Sequence, residues 1–377
     1  MKLLIWDADT LDAIRKASNA GQLMPALIPL YQQADDALLF EPVSVVDKEL
    51  VPPSGDKHDY MSVGPYWWPD PDKSDGLPYI RRDGEVNPSR HNYDNARMGP
   101  VCSGVETLSL ASFLFESELY ATHAAKLLRV WFLDETTKMN PNLEFGQAIP
   151  GICAGRGVGI IDTAGTFTRL VDAMLLLEHE PWGVWPEAER EGMRAWMAAY
   201  LTWNLESKIG KDEARAGNNH GTYYDMQAIA LALYTKQPEI AKQIAQSVPR
   251  VRLATQIEPD GSQPHELGRT NSRGYSLMNT MGFVNLTLLA RHVDEDLWAF
   301  ETEDGHSLAK ALDWFVPYIR KEKEWTWQQI RDHNLVSYMP LYRMAAAHLD
   351  ARYAQILTEL PTDDKHRIHL TCPAVNE

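Results

Sequence analysis

The chain has 377 residues, 44% hydrophobic and 23% charged, which is enough apolar content for a large core without a metal or disulfide to hold it. Its formal charge of −16 argues against general nucleic-acid binding. The three cysteines, Cys102, Cys153 and Cys372, fit neither a zinc site nor a disulfide framework and read as small buried residues.

The opening Met1-Lys2-Leu3-Leu4-Ile5-Trp6-Asp7 meets an acidic residue too early for the apolar stretch of a signal peptide. No run of about 20 apolar residues follows, so no membrane partner is expected. A 3.6-residue periodicity then predicts helices over roughly 8–20, 22–40, 103–133, 161–179, 186–208, 219–236, 239–256, 275–293, 306–321 and 334–358. Strand signals are scarce, and no Asn-Gly hairpin stands between alternating runs. The expectation is an all-α chain of helix pairs, with one domain over residues 1–377.

Two long loops interrupt the helices. Residues 51–100 carry Pro52-Pro53, Gly64-Pro65-Tyr66-Trp67-Trp68-Pro69-Asp70-Pro71 and Gly76-Leu77-Pro78. Flexible linkers seldom carry so many aromatics, so this is an ordered loop, and long ordered loops are usually functional. Residues 134–160 include the glycine-rich stretch from Gly151 to Gly159. It follows no clear strand, which disfavours a dinucleotide site and favours close loop packing with Arg156 aimed at a ligand. Arginines gather in both halves: Arg81, Arg82, Arg90 and Arg97 in one region, Arg252, Arg269 and Arg273 in another. A cleft can be positive on a negative protein, because a concave site focuses nearby charge while distant charge is screened.

The densest chemistry lies in Asn218-Asn219-His220-Gly221-Thr222-Tyr223-Tyr224-Asp225-Met226-Gln227. A helix starting near Asn219 would turn free N–H groups and its positive dipole end towards an anion, with Asn218 or Asn219 as cap. His220, Tyr223, Tyr224 and Gln227 then share one face. On the bland reading, Asn219 is only a cap and His220 a satisfied core histidine. A second stretch runs from His265-Glu266-Leu267-Gly268-Arg269 to Tyr275. Six residues across a loop–helix junction can set a guanidinium beside a phenol, favouring the phenolate over the usual phenol pKa of about 10. The alternative pairs Arg269 with Glu266 and leaves Tyr275 as an ordinary helix-start residue.

Together the stretches suit β-elimination of a uronate polymer. The sugar carboxylate must be neutralised, a base must take the C5 proton, and an acid must protonate the leaving O4. Asn219 and Arg269 can hold the carboxylate. His220 can act as base or electrostatic helper, and Tyr275 as acid or as both. In β-linked mannuronate and glucuronate the proton and O4 suit syn elimination, so one tyrosine can serve twice; guluronate needs a base on the opposite face.

Asn219-His220, Glu266-Leu267-Gly268-Arg269 followed by Tyr275 and Asn279, the loop Lys57-His58-Asp59-Tyr60 through Tyr66-Trp67-Trp68-Pro69-Asp70-Pro71, and Asn87-Pro88 resemble the alginate-lyase superfamily of polysaccharide lyases over roughly residues 50–350. The resemblance implies an incomplete (α/α)n toroid of about six to seven helical hairpins with long active-site loops. It also implies Asn219 and Arg269 as carboxylate neutralisers, His220 as the family histidine and Tyr275 as the catalytic tyrosine. No cofactor or metal is implied, and the partner is an acidic polysaccharide. The Arg–Tyr spacing is six rather than the seven of the best-known members, and Ser276 rather than histidine follows. That resembles a divergent branch acting on mannuronate-rich alginate, with glucuronan as the alternative. Sugar rings stack on aromatic faces, so Tyr60, Tyr66, Trp67 and Trp68 are expected at subsites, with Lys57, Arg81 and Arg156 on neighbouring carboxylates and Tyr223, Tyr224, Gln227 and Glu266 lining the centre. Family members usually meet polymer outside the cytoplasm, so a periplasmic or secreted protein is expected, otherwise a cytoplasmic one.

Two other readings compete. An α/α-barrel glycoside hydrolase needs two facing carboxylates, for which Asp162, Asp225 and Glu266 are available. A non-catalytic polysaccharide-binding protein would keep the aromatic loop without needing Tyr275.

Overall fold

The computed structural model describes residues 1–22 and 24–375. Helices carry most of them, as the periodicity predicts, and the named strands are four short pieces among the described residues. Contacts divide the chain into two compact units, one of residues 31–215 with Met1 and 234–236, the other of residues 2–30, 216–233 and 237–377. Of the expected domain 1–377 and helix 22–40, Leu23, Asn376 and Glu377 lie outside the described residues.

The first unit is built on Asn95–Phe115, Glu118–Leu128, Ile161–Leu177 and Glu187–Glu206. Asn95–Phe115 is apolar on every side and buries Val101, Val105, Leu108, Leu110 and Leu114, the pattern of a core helix. It is the one described helix long and apolar enough to cross a membrane, and 67% of its apolar window is buried inside the protein. Glu116 ends it in a left-handed conformation (φ 51°) and so splits the helix expected over 103–133. Phe132, Phe167, Trp196 and Tyr200 pack ring against ring, with centroids 4.8–5.9 Å apart, between the helices that follow.

The 51–100 segment is ordered by pairing. Met61–Val63 runs parallel to Phe145–Ala148, which comes from the second loop, and Trp67–Trp68 pairs antiparallel with Ile80–Arg81. Two buried groups pin it. Lys48 Nζ reaches Asp94 at 3.0 Å and donates to the carbonyls of Val45 (2.7 Å) and Lys57 (2.6 Å). Burial lowers the Lys48 pKa and raises that of Asp94, while their mutual attraction opposes both shifts. In addition, Asp162 accepts from Tyr60 Oη (3.0 Å), Ser62 Oγ (2.5 Å) and Gln147 Nε2 (2.8 Å). The glycine run packs closely, as expected: a Cβ on Gly155 would lie 1.8 Å from the Glu144 carbonyl oxygen.

The second unit contains Ala8–Asn19, most of Asn219–Tyr234, Pro238–Val248, Ser272–Ala290, Leu308–Ile319 and Met339–His348. The helix expected over 334–358 breaks after His348, and a short helix resumes at Ala354. A buried polar network ties Asn219–Tyr234 to Ser272–Ala290. Thr222 Oγ1 and Asn279 Nδ2 both donate to Gln256 Oε1 at 3.0 Å; Asn279 also donates to Gln263 Oε1 (2.9 Å), and Gln263 Nε2 to Thr280 Oγ1 (2.8 Å). Buried amides and hydroxyls matched in this way fix one relative placement of the two helices, since any slip leaves them unpaired.

Candidate active site

The site is assembled within the second unit from the starts of those two helices. Asn219 opens Asn219–Tyr234, and Asn218 caps it by accepting the His220 N–H at 3.3 Å. The Glu266 carboxylate reaches the same end from the short helix Pro264–Leu267. One oxygen accepts the Asn219 backbone N–H and the other accepts Asn219 Nδ2, both at 2.7 Å. Glu266 and Asn219 are each 1% exposed. Burial raises the Glu266 pKa; the two Asn219 hydrogen bonds, Arg269 and His220 pull the other way. An amide carries two N–H donors and Glu266 takes one, which fixes the amide's orientation.

Tyr275 sits in the first turn of Ser272–Ala290, its N–H bonded to the Asn271 carbonyl at 3.1 Å. Arg269 Nη2 donates to Tyr275 Oη at 2.9 Å, and its guanidinium carbon lies 3.8 Å from the Tyr275 ring centroid. The phenol oxygen therefore meets a positive charge directly, and both side chains are half-buried. This is the juxtaposition the six-residue spacing predicts. Tyr223 Oη donates to the Met278 carbonyl at 3.3 Å and links the two helices beside the site.

The other expected substrate contacts divide. Tyr60 is corrected: it is fully buried and its hydroxyl serves Asp162, so it offers no ring face. Tyr224 and Gln227 are corrected likewise, because the helix face they share turns into the core. Glu266 is corrected from a substrate contact to the group that orients Asn219. Lys57, Tyr66, Trp67, Trp68, Arg81 and Arg156 all belong to the first unit. There Lys57 is exposed, Tyr66, Trp67 and Trp68 are half-buried, and Arg82 lies 5.2 Å from the Trp68 centroid. Arg81 pairs with Asp83 at 2.7 Å. Arg156 donates to the backbone and side-chain oxygens of Gln147 (2.9 and 3.1 Å) with its guanidinium 5.9 Å from the Trp67 centroid. Burial lowers its pKa.

The carboxylates a hydrolase would need are committed elsewhere. Asp225 is held by Arg252 (2.7 and 3.1 Å), Asp162 by three donors and Glu266 by Asn219; Asp225 and Glu266 are buried and Asp162 is half-buried. The sequence reading missed Gln147, Gln256 and Gln263. Each acts through partners far away in the chain, and no local motif marks them.

A family model described as alginate lyase matches residues 44–325. The chain is similar to the structure of an alginate lyase from Bacteroides ovatus, at 40% identity and a TM-score of 0.92 over 98% of each chain. It is also similar to alginate lyase A1-III from Sphingomonas species A1, at 17% identity and a TM-score of 0.61 over 98% of this chain and 97% of that one. A variant of A1-III complexed with tetrasaccharide matches at 16% identity, with a TM-score of 0.61 over 97% and 95%. No curated protein sequence matches. The chain has the fold of these structures, the all-α class of α/α toroids expected from the sequence.

Proposed function

The chain belongs to the alginate lyase family, and we propose that this polysaccharide lyase cleaves β-1,4-linked uronates, polymannuronate in alginate first and glucuronan as the alternative, by β-elimination through Tyr275. The observation that carries this reading is the Arg269–Tyr275 contact. A guanidinium on a phenol oxygen stabilises the phenolate, the form that removes a proton.

Asn219, oriented by Glu266, donates to the uronate carboxylate, with His220 beside it, and so stabilises the charge that spreads onto the carboxylate as C5 loses its proton. The Tyr275 phenolate takes that proton. The C5–H electron pair forms the C4=C5 double bond as the C4–O4 bond breaks. The same tyrosine then returns its proton to O4, which the syn arrangement of a mannuronate or glucuronate unit permits. No water is consumed, and the new chain end is a 4,5-unsaturated uronate.

In the first unit we assign Trp67, with Arg156 above its ring, as a face on which a uronate can stack while its carboxylate meets a cation. Tyr66, Trp68, Lys57 and Arg81 are assigned as its neighbours along the polymer. The test is a panel of polymannuronate, polyguluronate, glucuronan and hyaluronan followed by ultraviolet absorbance. The expected result is the largest gain on polymannuronate; a gain confined to polyguluronate would overturn the syn assignment.

A further inference from the structure

The second unit carries an open, solvent-facing cavity of about 800 Å³ lined by Arg273, Lys321 and Lys323 together with Tyr318, Asp332 and His333. That volume lies within the range of about 300–1,000 Å³ usual for small-ligand sites. The three cations have no carboxylate partner among the described residues. Arg273 Nε is buried without a hydrogen-bond partner, and the guanidinium lies 4.7 Å from the Trp325 ring centroid. Trp325 in turn packs with Trp314, Tyr318 and Trp327 at centroid distances of 5.1–5.3 Å, and of these rings Tyr318 lines the pocket. His333 stacks on Tyr338 (5.1 Å, 14°) and contacts Ser337 Oγ at 3.0 Å. Burial and Arg273 hold its pKa down at about 4, so at neutral pH it is an uncharged hydrogen-bonding group. Cations for a carboxylate, Tyr318 for a ring, and Asp332 and Glu324 as acceptors for hydroxyls together match one sugar acid.

The cavity is also tied to the catalytic groups. Ser272 donates to the Gln328 carbonyl from both N–H (3.3 Å) and Oγ (2.7 Å). The Arg273 N–H donates to Gln329 Oε1 (3.0 Å), Gln329 Nε2 to Asn271 Oδ1 (2.6 Å), and the Ile330 N–H to the Thr270 carbonyl (3.0 Å). Residues 270–273 are the stretch between Arg269 and Tyr275. The wall carrying Asp332 and His333 lies beyond residue 325, where the family match ends.

We propose that this cavity is a binding subsite for a hexuronate unit of the polymer away from the bond that is cut, with the unit's carboxylate on Arg273, Lys321 and Lys323 and its ring against Tyr318. The proposal rests on the uronate-lyase reading for its ligand, but its test needs no turnover. Full-length Tyr275→Phe protein is titrated with hexamannuronate by calorimetry, alone and with Lys321→Ala and Lys323→Ala added. Both lysines are exposed, so the fold should tolerate the change. Binding should weaken about tenfold, as for loss of one charge-assisted hydrogen bond. The Lys321→Arg, Lys323→Arg pair should restore it to within about twofold, and neutral mannohexaose should bind far more weakly than the hexuronate. Unchanged affinity in the alanine variant, equal loss in the arginine variant, or equally tight binding of mannohexaose would each overturn the subsite. Wild-type protein that forms no unsaturated product from any polyuronate would instead refute the lyase reading, and the calorimetry would still decide the cavity.

Discussion

At Asn219 the Glu266 carboxylate takes both the backbone N–H and a side-chain N–H at 2.7 Å, and this contact separates two roles that the sequence leaves mixed. Glu266 is taken up by Asn219, and in the proposed mechanism it aims the amide that meets the substrate. Asn219→Ala should lower kcat by about 10²–10³-fold, as for loss of an oxyanion donor. Glu266→Gln presents an N–H₂ where an acceptor is needed, so it should lower kcat and destabilise the fold by about 1–3 kcal/mol. Steady-state kinetics with a thermal melt checks both; a near-wild-type rate for Asn219→Ala would reduce Asn219 to a helix-start residue. His220→Ala tests whether a second base exists. If His220 only neutralises the carboxylate, slow cleavage of polymannuronate should survive, whereas complete loss on every substrate would make it an obligatory base. Tyr60 teaches the converse. An aromatic in a sugar-binding loop reads as a stacking platform until its partner Asp162, 102 residues later, is seen to hold its hydroxyl in the core.

Among the elements, helix interiors were legible because periodicity is local, and their ends were not. Glu116 adopts a left-handed conformation that nothing in its neighbours announces, and the π turn Pro249–Leu253 carries the expected 239–256 helix on to Gln256, a partner of Thr222 and Asn279. The start of Asn219–Tyr234 depends on Gly221. A Cβ there would lie 2.1 Å from the Ala216 carbonyl oxygen and 2.4 Å from Arg252 Nη1, the guanidinium that neutralises Asp225. Gly221→Ala should therefore displace the helix start and lower both melting temperature and activity; an unchanged melt would show that the segment yields freely. In the first unit, removing one partner of the buried Lys48–Asp94 pair leaves an uncompensated charge. Lys48→Met should destabilise by about 3–5 kcal/mol, and Lys48→Met with Asp94→Leu should recover much of the loss in a denaturant titration.

For the whole molecule, a charge of −16 is no bar to an anionic polymer, because cations are held where they matter: Arg269 on Tyr275, Arg156 over Trp67, and Arg273 in the cavity. The sequence grouped Arg252, Arg269 and Arg273 as one positive region. The structure gives them three tasks, since Arg252 is spent on Asp225, and only three-dimensional partners distinguish them. The Arg269–Tyr275 contact of the candidate site was legible because Arg269 stands six residues before Tyr275. The amides that lock their helices together were not, because Gln256, Gln263 and Asn279 meet only in the fold. In the proposed mechanism Tyr275 moves the protons of an elimination. The direct measurement is ultraviolet absorbance during incubation with polymannuronate, for wild type and Tyr275→Phe. Absorbance should rise steadily for wild type and not at all for Tyr275→Phe, with the variant still binding the polymer; undiminished product formation by Tyr275→Phe would rule out Tyr275 as base and acid.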